Sequence, residues 1–188
     1  MAKTRQQKEE SRKAIVRSAA KLFREKGFDR VTVAEVMDGA GLTHGGFPRH
    51  FASKDDLVTA ALVDVFESNH HEPMIPATDL SGFLAAYLRP EHRDAAGAGC
   101  PFASLGPEMA RAPAPTRRVL TEMIERQIAH FANQVPGDDP VARRRAAIAV
   151  WGAAIGSMML ARIADDGSLS DEILSAGASI AMAIPQEP

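Results

Sequence analysis

The 188-residue sequence is 45% hydrophobic and 24% charged, which is enough apolar matter for a buried core and argues against a disordered chain. Its single cysteine, Cys100, excludes a disulfide framework within one chain and suits a reducing cytoplasm. The net charge of −2 hides an asymmetry: residues 1–54 hold twelve Lys/Arg against six Asp/Glu, or +6, and the remainder sums to −8, so only the front suits a polyanionic partner.

The first ten residues are polar, without the apolar run of a secretory signal. Helical spacing then dominates and strand-like alternation is hard to find. Ile15, Ala19, Leu22 and Phe23 recur on one face from Ser11 onward, and Gly27 stands where a helix C-cap glycine would. Thr32 is placed to cap a short helix with Val33, Val36 and Met37 on its apolar face. Gly39 and Gly41 mark a tight turn. Thr43 opens a third short segment to about Phe51, and Ser53 with Asp56 forms a capping box ahead of Leu57, Ala61 and Val65.

The proline-bearing stretch His70–Thr78 predicts a linker. Helices are expected over Leu80–Leu88, Pro101–Arg111, Thr116–Val135 and Val141 to about Ala164, with Pro/Gly-rich breaks between them. Ser168 or Ser170 is expected to cap a last helix to about Ile184. The longest uncharged run, between Arg145 and Arg162, has sixteen residues, short of the ~20 that span a bilayer.

Three short helices with a glycine-bearing turn between the second and third form a helix-turn-helix pattern. Ala34 is small where the two helices would cross, and Gly41 can take the positive φ that the turn needs. The run Thr32-Val-Ala-Glu-Val-Met-Asp-Gly-Ala-Gly-Leu-Thr-His-Gly-Gly-Phe-Pro-Arg-His-Phe-Ala-Ser-Lys-Asp-Asp-Leu57, with Ala19-Ala-x-Leu-Phe-x-x-x-Gly27-Phe upstream, resembles the DNA-binding domain of the TetR family of bacterial transcriptional regulators. The resemblance covers roughly residues 9–68.

It implies an all-α protein: a DNA-binding domain over residues 8–68, with its helix-turn-helix at about 32–51, and a helical effector-binding and dimerisation domain over residues 69–188. It implies that Thr32 contacts a phosphate and that Thr43, His44, Gly45 and Gly46 lie nearest the bases. Arg49 and His50 would contact phosphates or bases, and Lys54 a phosphate. Thr32 and Thr43 would be N-caps in either case. Arg5, Lys8 and Arg12 form a basic arm, and Phe47 and Phe51 are expected to anchor the short helix in the core.

Pro48 departs from the pattern, because the family usually has an aromatic residue there, often a tyrosine that reaches a phosphate. A proline at the fifth helical position loses a hydrogen bond to the His44 carbonyl and crowds it. A distorted, 3₁₀-like recognition helix and altered DNA binding are therefore expected.

Behind the linker, Gly152 and Gly156 form a small-xxx-small pair on an apolar helix. With the alanine- and glycine-rich last helix it predicts a four-helix bundle between two copies of the chain, binding adjacent half-sites. His70, Tyr87, Cys100 and Gln127 are the candidate polar contacts to a small-molecule effector. Phe66, Phe83, Phe102, Met109, Met123 and Trp151 are candidate apolar lining or ordinary core.

Cys100 precedes Pro101, which is favoured at the first position of a helix. It would stand at an N-cap as a reactive sensor of electrophiles or oxidants, or else as a small hydrophobe. No Walker loop, dinucleotide fingerprint, nucleophile elbow or metal-ligand spacing is present, so neither an enzyme nor a cofactor is expected. The expected function is a cytoplasmic, homodimeric repressor released from operator DNA by a small molecule. The alternatives are a redox regulator acting through Cys100, or a helical dimer that has lost operator binding and acts through a protein partner.

Overall fold

The computed structural model describes residues 5–67 and 80–179, and among the described residues the chain is helix and turn with no strand. The expected linker over His70–Thr78, with candidate His70, and the expected end of the last helix near Ile184 lie outside the described residues.

Helix α1 (Arg5–Lys26) buries Ile15, Ala19 and Phe23, the residues that its spacing aligns. It stops at Gly27, whose φ of 85° turns the chain while its N–H donates to the Phe23 carbonyl at 2.7 Å, a left-handed cap that disfavours a side chain. Helix α2 (Val33–Gly39) opens on Thr32, whose hydroxyl accepts from the Glu35 N–H at 3.2 Å, and the Glu35 carboxylate accepts from the Thr32 N–H at 2.8 Å. The segment His44–Arg49 is 3₁₀ throughout. Helix α3 (Lys54–Glu67) follows Ser53, whose hydroxyl accepts the Asp56 N–H at 3.0 Å, the half of the expected capping box that the structure shows.

These elements surround Ile15, Phe23, Val31, Val36 and Leu57, all fully buried. Residues before 68 do not close this core alone. Leu105, Met109, Leu120 and Met123 from two later helices complete it, so Met109 and Met123 support the DNA-binding domain rather than lining an effector cavity.

The second core belongs to α4 (Leu80–Tyr87), α6 (Pro101–Ala110), α7 (Ala114–Ala132), α8 (Pro140–Ile163) and α9 (Gly167–Ser179). The expected loop between α4 and α6 contains a short helix, α5 (Pro90–Asp94), and a 3₁₀ turn at Ala96–Ala98. Pro90 at its first position supplies the φ that starts a helix, so a proline read as a breaker is an initiator.

Helix α8 is capped by Asp139, which accepts the Val141 N–H at 2.8 Å. It is long and apolar enough to cross a membrane by length and composition, yet one stripe (Ala147, Val150, Trp151, Ala154, Met158 and Ala161) is buried in the second core. Asp166, and not Ser168 or Ser170, caps α9: its carboxylate accepts the Ser168 and Leu169 N–H groups at 2.7 and 3.1 Å. The Ser170 hydroxyl instead donates to the Ala161 carbonyl at 2.7 Å and ties α9 to α8. The two helices cross closely at Gly177, where a Cβ would lie 2.5 Å from Ser157 Oγ.

Candidate nucleic-acid interface

The turn between α2 and the 3₁₀ segment is closed by two backbone bonds. The Leu42 N–H donates to the Met37 carbonyl at 2.9 Å and the Gly41 N–H to that of Asp38 at 2.8 Å, with Gly41 at φ 69°. This paired pattern requires a left-handed residue at Gly41 and fixes the angle at which the next segment leaves. Ala34 is exposed and plays no part in a crossing. The close approach is made instead by Gly39, where a Cβ would come within 2.5 Å of Ser18 Oγ.

The 3₁₀ segment follows from its sequence. Pro48 has no N–H to give to an α-helical ladder, and Gly45 and Gly46 resist helix. The bonds that form are shorter-range: the Gly46 N–H to the Thr43 carbonyl at 3.0 Å and the His50 N–H to that of Phe47 at 2.9 Å. The rings of Phe47 and Phe51, stacked with centroids 5.7 Å apart, fasten the segment to the core.

Arg12 locks its far end. Its guanidinium donates to the His50 carbonyl at 2.5 Å and lies 4.1 Å over the Phe51 ring. Within the chain, the charge of Arg12, a member of the expected basic arm, is held by a helix-terminal carbonyl and an aromatic face.

Thr43, Gly46, Arg49 and His50 share one cleft of about 440 Å³ with Lys8 of α1. His44 and Gly45 stand exposed beside it, and nothing lies within 4 Å of a Cβ built on Gly45. Thr43 occupies the N-cap position but makes no side-chain cap bond, so its hydroxyl is not committed to the helix as Thr32's is. Thr32 is exposed at the start of α2. The Glu35 carboxyl is held down to about 2, first by the Thr32 N–H, then by the Thr32 hydroxyl and Lys26. Lys54 is half-buried at a separate hollow with Asp29, Asp55, Glu108 and Arg111, apart from the Thr43–His50 cleft.

Residues 15–61 match the model of the family described as bacterial regulatory proteins, tetR family. That segment is a TetR-family DNA-binding region. Among similar proteins, TtgR of Pseudomonas putida, an HTH-type transcriptional regulator, is 33% identical over 69 residues, 37% of this chain and 33% of that protein. KstR2 of Mycobacterium tuberculosis, an HTH-type transcriptional repressor, is 40% identical over 48 residues, 26% of this chain and 24% of that protein.

The chain thus matches about a third or less of the length of these curated relatives. Its fold extends further. A TetR-family regulator from Cytophaga hutchinsonii superposes with a TM-score of 0.75 at 17% identity, over 99% of this chain and 100% of that one. The reduced form of NemR from E. coli superposes at 0.73 with 18% identity, over 95% and 99%.

Of the candidate effector contacts, Tyr87 and Cys100 come together beside His92, whereas Gln127 lies half-buried on α7. The candidate aromatic lining is a packed run. Ring centroids are 5.1 Å apart for Phe66–Phe102, 5.2 Å for Phe102–Trp151, 6.2 Å for Trp151–Phe131, 4.6 Å for Phe131–Phe83 and 5.2 Å for Phe83–Tyr87.

Sequence reasoning missed Arg24 and Arg162. Arg24 is 5% exposed and donates to the Gly99 carbonyl at 3.3 Å. Its signal was available, since it continues the apolar row Val16–Ala20 at four-residue spacing. Arg162 donates to the Arg93 carbonyl at 3.0 Å and, at 2.9 Å each, to Ser104 Oγ and the His92 carbonyl. Arg93 in turn reaches Asp171 at 2.7 Å and Ser170 at 2.8 Å, joining α5 to α9.

Proposed function

We propose that this chain is a homodimeric, DNA-binding transcriptional regulator of the TetR family that works in the cytoplasm as a repressor released from its operator by a small molecule. The observation that carries the reading is the cleft: Thr43, Gly46, Arg49 and His50, on a segment whose exit angle Gly41 sets, face the same space as Lys8 in the part of the chain with charge +6. A segment so presented can enter a major groove while its cations hold the flanking phosphates.

Dimerisation is supported by α8. Ile148, Leu160 and Ile163 are exposed on one stripe, at 45%, 56% and 75%, and a Cβ on Gly152 or Gly156 of the same stripe meets nothing within 4 Å. A second copy laid on this stripe would cover the apolar side chains, with the glycines allowing close approach. We further propose a DNA-binding domain over residues 8–68 and an effector-binding and dimerisation domain over residues 69–188, the first core drawing Leu105, Met109, Leu120 and Met123 from the latter.

The test is an electrophoretic shift with DNA from upstream of the gene, repeated over a range of salt. Retardation of one sequence over others, weakening with a steep salt slope, is expected. A monomer in solution, or equal binding to all sequences at low salt, contradicts the reading. The 3₁₀ segment favours one second reading, in which Pro48 has cost the chain its operator and the dimer acts through a protein partner. That reading predicts no retardation until Pro48 is replaced by tyrosine.

A further inference from the structure

The segment from His44 to Arg49 holds itself together poorly. Gly45, Gly46 and Pro48 deprive it of an α-helical ladder, and its far end is closed by the His50 and Phe51 N–H groups, which donate to the Phe47 carbonyl at 2.9 and 3.1 Å. Carbonyls at such an end point onward without partners in the segment itself. That of His50 takes its hydrogen from another helix, because Arg12 Nη1 donates to it at 2.5 Å. The same guanidinium stands 4.1 Å over the centroid of the Phe51 ring, and that ring, 4% exposed, stacks on Phe47. One side chain thus grips the segment twice, at a backbone oxygen and at its aromatic anchor, from 38 positions away.

Lys8, Arg12 and Val16 follow one another at four-residue spacing on α1, so they share a face. Val16 is buried in the first core, and Lys8 lines the cleft with Thr43, Gly46, Arg49 and His50. Arg12 stands between the two, so its grip on the segment also sets where Lys8 lies against the reading residues. Its electrical setting is not that of a phosphate contact. Arg12 borders a separate hollow with Glu9, Lys13, Asp56 and Asp64, where three carboxylates outweigh two cations, and Lys13 is drawn to Glu9 at 3.2 Å. Such a surround disfavours an arriving phosphate and keeps a guanidinium where it is.

We propose that Arg12 is the positioning residue of the DNA-reading face: it holds the proline-bearing 3₁₀ segment at the pitch that an α-helical ladder would otherwise set, without itself touching DNA. The proposal rests on the DNA-binding reading. Lysine cannot take the place of Arg12, since an ammonium on a flexible stem offers neither the planar fork nor a face to lay on Phe51.

The test compares the full-length protein with its Arg12→Gln and Arg12→Lys variants. Amide hydrogen exchange without DNA reads the segment itself. Both variants are expected to speed exchange at His50 and Phe51 by about tenfold and to leave α9 unchanged, as in a local opening. A substitution that merely loosened the fold would speed α9 as well. Electrophoretic shifts then use the upstream DNA that the unaltered protein prefers and an unrelated duplex of equal length. Both variants should bind the preferred DNA about tenfold more weakly and the unrelated duplex within about twofold, because base contacts need the segment in place and phosphate contacts carry no sequence information. The salt slope should not change, whereas a lost phosphate contact lowers it by about one. In a Pro48→Tyr background, where the ladder can form, Arg12→Gln should weaken binding by only about twofold.

Full binding by Arg12→Lys, or a salt slope lower by about one with both duplexes weakened alike, makes Arg12 a phosphate contact and overturns the proposal. Unchanged exchange at His50 and Phe51 overturns it too, as does faster exchange with undiminished preference between the duplexes. If the unaltered protein retards no DNA, the DNA-binding reading fails instead, and the exchange measurement still decides whether Arg12 holds the segment.

Discussion

The face that runs from Thr43 to His50 and the joint around Gly99 both depend on arginine, and they use it in opposite ways. On the face, Arg49 stands exposed beside Lys8, where its charge stays hydrated and costs nothing to keep. In the joint, Arg24 and Arg162 are drawn into the chain and direct their donors to carbonyls of residues 92, 93 and 99. A surface that reads a partner tolerates weak local structure, including two glycines and a proline. A joint closed off from water does not, because each carbonyl it withdraws must find a donor inside.

The largest effect should therefore come from the joint. Arg162→Met keeps much of the aliphatic stem and removes the donors to Ser104 and to the carbonyls of His92 and Arg93. Stability is expected to fall by about 3 kcal/mol, the range for breaking a buried hydrogen-bond network, as read from urea denaturation. A loss below about 0.5 kcal/mol, the size of an ordinary surface substitution, would erase the contrast between the two regions.

The next effect tests the face. Pro48→Tyr restores the N–H that the α-helical ladder lacks and offers a hydroxyl at an exposed position. Operator affinity is expected to rise by about tenfold, or ~1.4 kcal/mol, with circular dichroism showing a gain in helix. Equal or weaker binding would mean that the 3₁₀ form is the one that fits the groove.

The same contrast explains what could be read from the residues alone. The helix-turn-helix was legible because its signals are local: Thr32 before an apolar row, Gly41 where φ must be positive, and Pro48 where an α-helix cannot continue. Those features specify structure within a few residues of themselves. The gathering of Thr43, Gly46, Arg49 and His50 in one cleft followed from that local geometry, whereas Lys54 fell to a different hollow because α3 turns it toward α6.

The joint was not legible. It is made by residues 24, 87, 92, 99 and 162, which no spacing rule connects, and its central bond, Arg24 to Gly99, spans 75 positions. Pro90 and Asp166 were misread for a smaller reason: each starts a helix in a stretch whose composition resembles a loop.

A pH titration offers a weaker probe of the joint. Burial lowers the folded-state pKa of His92, and its Nε2 must stay unprotonated to accept the Cys100 N–H. The unfolded chain takes up a proton near the ordinary value of about 6.5, and the folded chain only at lower pH. His92 therefore contributes stability that is present above about pH 6.5 and is lost as pH falls through the folded value. The melting temperature should decline between about pH 7 and about pH 5, and His92→Gln should flatten that part of the decline. An identical slope in the variant would place the acid sensitivity elsewhere.

The smallest stability effect, and the one that separates a DNA contact from a structural cap, compares Thr32 with Thr43. The Thr32 hydroxyl accepts the Glu35 N–H, and Glu35 answers on the Thr32 N–H, so Thr32→Ala should cost about 1 kcal/mol in urea denaturation. Thr43 occupies the equivalent position before the 3₁₀ segment but caps nothing, so Thr43→Ala should leave stability within about 0.5 kcal/mol. If the Thr43 hydroxyl is held out for the duplex, its loss should nonetheless weaken operator binding by about tenfold at fixed salt, comparable to one lost specific contact. Two matched substitutions thereby give opposite pairings of stability and affinity. Were Thr43→Ala to cost as much stability as Thr32→Ala, its hydroxyl would be working as a cap in solution, and its place in the reading face would have to be given to Arg49 and His44 instead.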